Sequence, residues 1–528
     1  CSVWGIPARR GGIVKTQPDG TQITVYQHGD EHFRWITNEK GEWLEVDKNG
    51  FYQVTEALSA EEIRVKQMAA PSRIAQAQKA ATPLNIAPRG LVILVNFADV
   101  KFETNKAELD SMLTGKNYSR DYSYMYGGRK YFVTSNGSAW QYFYESSNGQ
   151  YSPQFDVVGP VTVSKNMDYY GKNVSDFDAA PWDMVKEACE LVNDSVDFSL
   201  YDNDKDGYVD FVYVVYAGYG EADGGAANTI WPHSYWLFES GVTCKVDGKY
   251  VDLYACGNEL DYYTKHHTGI GTFCHEFSHV LGLPDLYTTE GQTHKTLGSW
   301  DILDYGPYNN DMNTPPAYSA YERFMMGWLT PRLIVEAEDV ELEELQESNS
   351  ALLISSTDQH NLIGNDPKPT TFYLLENRQQ VGWDEYLPGH GLMLTKISYN
   401  QRSWSDNSVN NLSNRMGVDL IEADGKTPSS SKDGYTGKAS DLFPAGATEY
   451  LGIKDHSIEE VSENNGVISF KYKGGRINTA TSEVVLNNDI IAIYDVLGQK
   501  MTTKKIEALS EGTYIVKTTQ GTKKIIIR

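Results

Sequence analysis

Hydrophobic and polar positions along the 528 residues fall into distinct textures. The first one alternates. Thr21-Gln-Ile-Thr-Val-Tyr26 places apolar and polar residues on opposite faces with the two-residue period of a strand, and Phe33-Arg-Trp-Ile-Thr37 continues it. Asn38-Glu-Lys-Gly41 and Asp47-Lys-Asn-Gly50 supply turn residues between such runs. Residues 57–70 have helix-forming composition, and 69–88 are rich in Ala, Pro, Ser and Gln, with Arg73, Lys79 and Arg89 as basic cleavage points. A small β unit followed by a cuttable linker reads as a propeptide over 1–88, with a permanent accessory domain as the alternative.

The next texture is a continuous apolar run, Gly90-Leu-Val-Ile-Leu-Val-Asn-Phe97, of the length expected for a strand buried on both faces. Helices are expected over 138–145, within 173–193 and over 318–326, the last ending at Gly327, and Phe211-Val-Tyr-Val-Val-Tyr216 reads as a strand. The glycine-rich stretch Ala217–Gly225 reads as a flexible rim. From Pro331 onward strands alternate with polar turns, as in Phe372-Tyr-Leu-Leu-Glu376 and Gly391-Leu-Met-Leu-Thr-Lys-Ile397. The expected organisation is α+β: a propeptide (1–88), a catalytic domain (89–330), a β-rich domain (331–474) and a small all-β tail (475–528).

One stretch carries the chemistry: Gly271-Thr-Phe-Cys-His275-Glu276-Phe-Ser-His279-Val-Leu-Gly282-Leu-Pro-Asp285. Two histidines four apart stand one turn above each other on a helix, so both imidazoles can reach one ion. Glu276 points about 100° round the helix, where a general base can take a proton from water activated by the metal. Imidazole ligands with an open fourth position suit zinc. Gly282 can adopt the left-handed conformation that ends a helix, which lets Asp285 swing back as an oxygen ligand. Glu322, on the later helix, is the alternative third ligand. Tyr305, in the Gly-bounded turn Gly298–Gly306, is a candidate donor to the oxyanion of a tetrahedral intermediate. His233, His266 and His267 read as surface or supporting residues.

A second signature is Asp202-Asn-Asp204-Lys-Asp206-Gly207-Tyr-Val-Asp210, carboxylates at alternate positions with glycine sixth. The twelfth position is Tyr213 rather than Glu, so this is half a calcium loop, and a structural calcium held by Asp202, Asp204, Asp206 and Asp210 is expected. The net charge of -25 disfavours nucleic acid and anionic membranes as partners. No apolar run approaches the roughly 18 residues needed to span a bilayer. Five scattered cysteines do not make a disulfide framework. Cys1, with no methionine before it, reads as the product of leader removal, and as a lipoprotein anchor if acylated.

Several of these pieces, in order, resemble the immune inhibitor A family of secreted bacterial metallopeptidases over residues 18–470. The matching stretches are Gly29-Asp-Glu31, Leu91–Phe97, Asp202–Asp210, Trp231-Pro-His233, His275–Asp285, Gly298–Gly306, Glu376-Asn-Arg378 and Trp383-Asp384. The resemblance implies a propeptide, a metzincin-like zinc endopeptidase domain and β-rich C-terminal modules. It puts His275, His279 and Asp285 at the ligand positions and Glu276 at the base. The methionine such enzymes carry below the metal is Leu303 here, of similar volume, and Tyr305 matches a tyrosine many of them keep. The final 50 or so residues resemble the C-terminal sorting domains of type IX secretion cargo, which implies an extracellular destination and a secretion machinery as partner. The expected function is a secreted zinc endopeptidase, made as a zymogen, acting on protein substrates. An adhesin or glycan-binding protein on a peptidase scaffold is the rival, disfavoured by an intact Glu276, and a metal-dependent hydrolase of other bonds is a third reading.

Overall fold

The computed structural model describes residues 4–59, 62–63, 87–174, 177–290, 294–426, 437–475, 490–495, 499–501, 509, 512–518 and 521–527. The linker expected over 69–88 lies outside these, apart from its last two residues, as does most of the helix expected over 57–70.

The apolar run at 90–97 forms its expected strand, Arg89–Asn96, inside a six-stranded sheet. The strand order is Trp4–Gly5, His233–Trp236, Leu253–Leu260, Val212–Tyr219, Arg89–Asn96 and Gln154–Thr162. The last four run parallel. His233–Trp236 is antiparallel to them, and Trp4–Gly5 pairs antiparallel along its outer side. The continuous apolar pattern follows from cover on both faces. Val92 and Leu94 pack with Phe273 and Phe277 of helix Gly271–Val280 and with helix Ala139–Ser146. Leu91, Ile93 and Val95 pack with Met184, Val185 and Ala188 of helix Pro181–Val192. Arg89, read as a cleavage point, is the first residue of a strand and pairs with Asp156 at 2.8 Å.

The alternating N-terminal stretch forms a five-stranded antiparallel meander, Gly12–Thr16, Gln22–Gly29, Arg34–Thr37, Trp43–Val46 and Tyr52–Val54. Its first residues reach back as an arm that adds Trp4–Gly5 to the central sheet. Ala217–Gly225 is not a flexible rim. Its residues are buried or nearly so, because the arm and the meander lie on it: Arg9 N–H donates to Ala222 O at 2.8 Å and Gln27 Nε2 to Glu221 O at 2.8 Å.

Beyond residue 330, a five-stranded sheet (Arg332–Leu333, Leu352–Ile354, Thr371–Arg378, Gly391–Ser398, Val418–Leu420) and a three-stranded one (Glu338–Leu342, Val467–Tyr472, Ile458–Asn464) appear. Leu374, Met393 and Ile397 share one apolar cluster with Phe273, Tyr321 and Phe324, so a common core crosses the expected boundary. A last antiparallel sheet joins Ile490–Asp495, Gly512–Thr518 and Gly521–Ile527. Among the described residues no helix is long and apolar enough to cross a membrane. The chain is a mixed α/β protein.

Candidate metal centre and active site

Helix Gly271–Val280 is fixed before any chemistry is added. Phe277 meets Phe143, Phe155 and Phe211 edge-on, with centroids 4.9, 5.2 and 4.8 Å away. Gly271 N–H donates to Met312 O at 2.8 Å, which anchors the N-terminal end. The helix stops where expected: Gly282 has φ +91°, a left-handed conformation that side chains resist, and the chain turns back through Asp285.

Three ligand atoms result. His275 Nε2 and His279 Nε2 lie 3.2 Å apart, and each is 3.3 Å from Asp285 Oδ1. A tetrahedral ion bound at about 2.0–2.1 Å separates its ligands by about 3.3–3.4 Å, so this triangle fits one face of a zinc site. The supporting bonds agree. His275 Nδ1 faces Ile302 O at 2.7 Å and His279 Nδ1 faces Leu283 O at 2.8 Å. A carbonyl at Nδ1 requires the proton there, leaving both Nε2 lone pairs for a metal. Asp285 Oδ2 accepts from Asn407 Nδ2 at 2.6 Å, whereas the buried Oδ1 has no hydrogen-bond partner. An orphaned anionic oxygen facing two imidazole lone pairs is what a missing cation would satisfy. The set fits zinc.

Glu276 is fully buried beside this triangle. Burial and the charge of Asp285 push its carboxyl well above the carboxylate range, against a hydrogen bond from Ile6. That bond, Ile6 N–H to Glu276 Oε1 at 3.0 Å, comes from the N-terminal arm. The neighbouring carbonyl, Gly5 O, accepts from Tyr287 Oη at 2.5 Å, so one peptide group lies between a tyrosine hydroxyl and the glutamate. Trp231 Nε1 holds Ile6 O at 2.9 Å and Tyr308 Oη holds Pro7 O at 2.6 Å. Glu31 follows Gly29, whose φ of +98° and approach to Phe33 O leave no room for a side chain. That turn aims Glu31 inward, where burial and the charges of Asp30, Asp285 and Glu276 raise its carboxyl well above the usual range.

Tyr305 is buried with the Arg10 guanidinium 3.8 Å above its ring. Glu322 accepts from Ser319 N–H at 2.6 Å in its helix's capping box, outside the cluster of His275, His279 and Asp285. Leu303 is buried under the site, its carbonyl accepting from Leu286 N–H at 2.8 Å. His233 spans Trp231 O and Tyr254 Oη, and His267 spans Thr268 O and Glu108, so both are structurally committed. Asp202, Asp204 and Asp206 do converge, but Asp210 Oδ2 accepts from Asn203 N–H at 2.6 Å instead of joining them. Lys249 Nζ lies 2.6 Å from Asp202 Oδ2, so a calcium ion here would have to displace an ammonium. Sequence reasoning missed Asn407, which stands 122 residues from Asp285 with no local signal. It also missed Tyr287, which follows Asp285 by two.

Residues 84–329 match the protein family described as "Immune inhibitor A peptidase M6, catalytic domain". "Immune inhibitor A" from Bacillus thuringiensis subsp. alesti is 28% identical over 262 residues, covering 43% of this chain and 38% of that protein. "Pre-pro-metalloprotease PrtV" from Vibrio cholerae serotype O1 (strain M66-2) is 26% identical over 291 residues, covering 48% and 31%. The matched stretches thus span only about a third of the length of these relatives. The ligand triangle and Glu276 lie inside the matched segment, so the site falls where the chain is similar to the immune inhibitor A-type M6 catalytic domain.

Proposed function

We propose that this chain is the latent form of a secreted zinc endopeptidase, with residues 1–88 as its propeptide. One observation carries this reading: the Gly5–Ile6 peptide lies with its N–H on Glu276, beside three ligand atoms at tetrahedral spacing. A bound zinc ion held by His275, His279 and Asp285 would polarise a substrate carbonyl and acidify a water. Glu276 takes that water's proton as it attacks and returns it to the leaving amine, the atom whose place Ile6 N occupies here. Its buried setting supports a basicity suited to both tasks. Trp231 and Tyr308 hold carbonyls along the chain and fix the register of a bound peptide. The edge strand His233–Trp236 offers its free side to backbone pairing, as Trp4–Gly5 uses it.

The arm thus fills the cleft by substrate-like contacts, and removal of 1–88 would open it. The relative whose name includes "pre-pro" is in keeping with such a precursor. Stripping the protein cut in its linker and separated from its N-terminal fragment (the linker-cut protein) with a chelator is expected to abolish casein hydrolysis, and zinc to restore it. Hydrolysis that survives complete zinc removal would refute the reading.

Of the two tyrosines, Tyr287 is the one whose hydroxyl meets a peptide carbonyl beside Glu276, so it is assigned to the developing oxyanion. Losing such a donor costs about 10²–10³ in kcat. Tyr287→Phe is expected to show that loss and Tyr305→Phe much less. A loss below about tenfold at Tyr287 contradicts the assignment, and a large loss at Tyr305 alone returns the role to that residue.

A further inference from the structure

Three residues after Ile6, the arm inserts a charged side chain into the metallopeptidase domain. Arg9 is buried, with Nη1 2.7 Å from Asp261 Oδ2 and Nη2 2.6 Å from Asp311 Oδ1. Its guanidinium lies 4.2 Å over the ring of Tyr263 and 5.8 Å from that of Tyr308. Each carboxylate is aimed by other bonds. Asp261 Oδ1 accepts from Tyr263 and Thr264 N–H at 2.6 and 3.0 Å, which leaves Oδ2 for a ligand. Asp311 Oδ2 accepts from Tyr124 Oη at 2.7 Å, which leaves Oδ1. A third carboxylate, Asp223, is 3% exposed, and its Oδ1 has no hydrogen-bond partner. The acidic walls belong to the domain; the cation belongs to the arm.

The pocket is also tied to the catalytic helix. Asn310, Asp311 and Met312 all have positive φ (49°, 49° and 66°), and Met312 O receives Gly271 N–H. Asp311 is therefore held one residue from the anchor of the helix that carries His275 and Glu276. From Ile6 to Arg9 is three residues, at most about 10–11 Å of extended chain.

We propose that Asp223, Asp261 and Asp311, floored by Tyr263, form a substrate subsite for an arginine side chain, which Arg9 fills while the arm is in place. The proposal rests on the peptidase reading and names its substrate class: proteins with a basic residue near the cleaved bond. If substrates follow the course of the arm, with Gly5–Ile6 standing for the cleaved bond, the arginine is the fourth residue on its C-terminal side. Two carboxylates receiving separate guanidinium nitrogens above an aromatic ring favour arginine's planar fork over lysine's point charge. Emptying the pocket would deprive the buried Asp261 and Asp223 and the partly buried Asp311 of the guanidinium's charge, so the site favours replacement of Arg9 by another cation.

Two measurements test this. In the full chain, Arg9→Ala is expected to lower the thermal midpoint by several degrees. Millimolar ethylguanidinium should recover part of that loss, N-ethylurea should not, and the wild-type chain should respond to neither. Should the alanine variant fail to fold, Arg9→Lys serves, with a smaller loss and the same ranking of additives. In the linker-cut protein, peptides differing only by Arg or Gln at the fourth position after the bond should differ at least tenfold in kcat/KM. Asp261→Asn should narrow that ratio. Casein hydrolysis with equal rates on the two peptides overturns the subsite. Absence of casein hydrolysis overturns the peptidase reading instead, and ethylguanidinium then decides the pocket alone: rescue supports a guanidinium site, and equal effects on wild type and variant refute it.

Discussion

Glu276→Gln is expected to abolish peptide hydrolysis by the linker-cut protein, by at least the 10²–10⁴-fold typical of a lost general acid–base group, while the chain keeps its zinc and its fold. Glutamine matches glutamate in volume and keeps an oxygen to accept from Ile6 N–H, the bond Glu276 Oε1 makes at 3.0 Å. None of the three ligand atoms comes from this side chain. Stability should be unchanged or higher, because Glu276 is fully buried and its Oε2 has no hydrogen-bond partner. A structural role predicts the reverse, with stability and zinc lost together with activity. Activity within tenfold of wild type would remove Glu276 from the chemistry.

Arg34→Ala is expected to release the propeptide. Arg34 belongs to the N-terminal meander, yet Nη2 lies 2.8 Å from Asp178 Oδ1 and 2.7 Å from Glu221 Oε2, with the guanidinium 5.1 Å from the Trp231 ring. Removing one member of a buried ion pair costs about 3–5 kcal/mol, because the partners are left charged and dry. At 1.4 kcal/mol per factor of ten, that weakens the hold of the propeptide by about 10²–10³-fold. The wild-type protein, cut in its linker but not separated, should stay largely inhibited, and the variant treated alike should hydrolyse casein faster by a comparable factor. Equal rates before cutting, after cutting and in the variant would mean that residues 1–88 confer no latency.

How much of this was legible depends on the range of the interactions involved. The metal-binding stretch could be read because its geometry is local: helical pitch stacks His275 on His279, and the Gly282 turn returns Asp285. The buried strand at Arg89–Asn96 was legible for the same reason, since cover on both faces leaves no polar position between its two ends. What escaped was long-range. Asn407 orients Asp285 from a module expected to be separate, and the apolar cluster shared by Phe324, Leu374 and Met393 explains how it arrives. Ala217–Gly225 looked mobile from its glycines, but its carbonyls and the carboxylate of Glu221 receive the arm and the meander. Tyr305 was chosen by its place in a turn, whereas the hydroxyl on a peptide carbonyl is that of Tyr287. The convergence of Asp202, Asp204 and Asp206 was legible from their spacing, whereas Lys249, which meets Asp202 from another strand, was not.

The most direct test of the central claim joins two readings on one sample: zinc per chain, and casein hydrolysis by the linker-cut protein beside its Glu276→Gln variant. The account predicts about one zinc per chain in both proteins, with hydrolysis in the wild type alone. No zinc in the wild type, or equal hydrolysis by the two proteins, would contradict it.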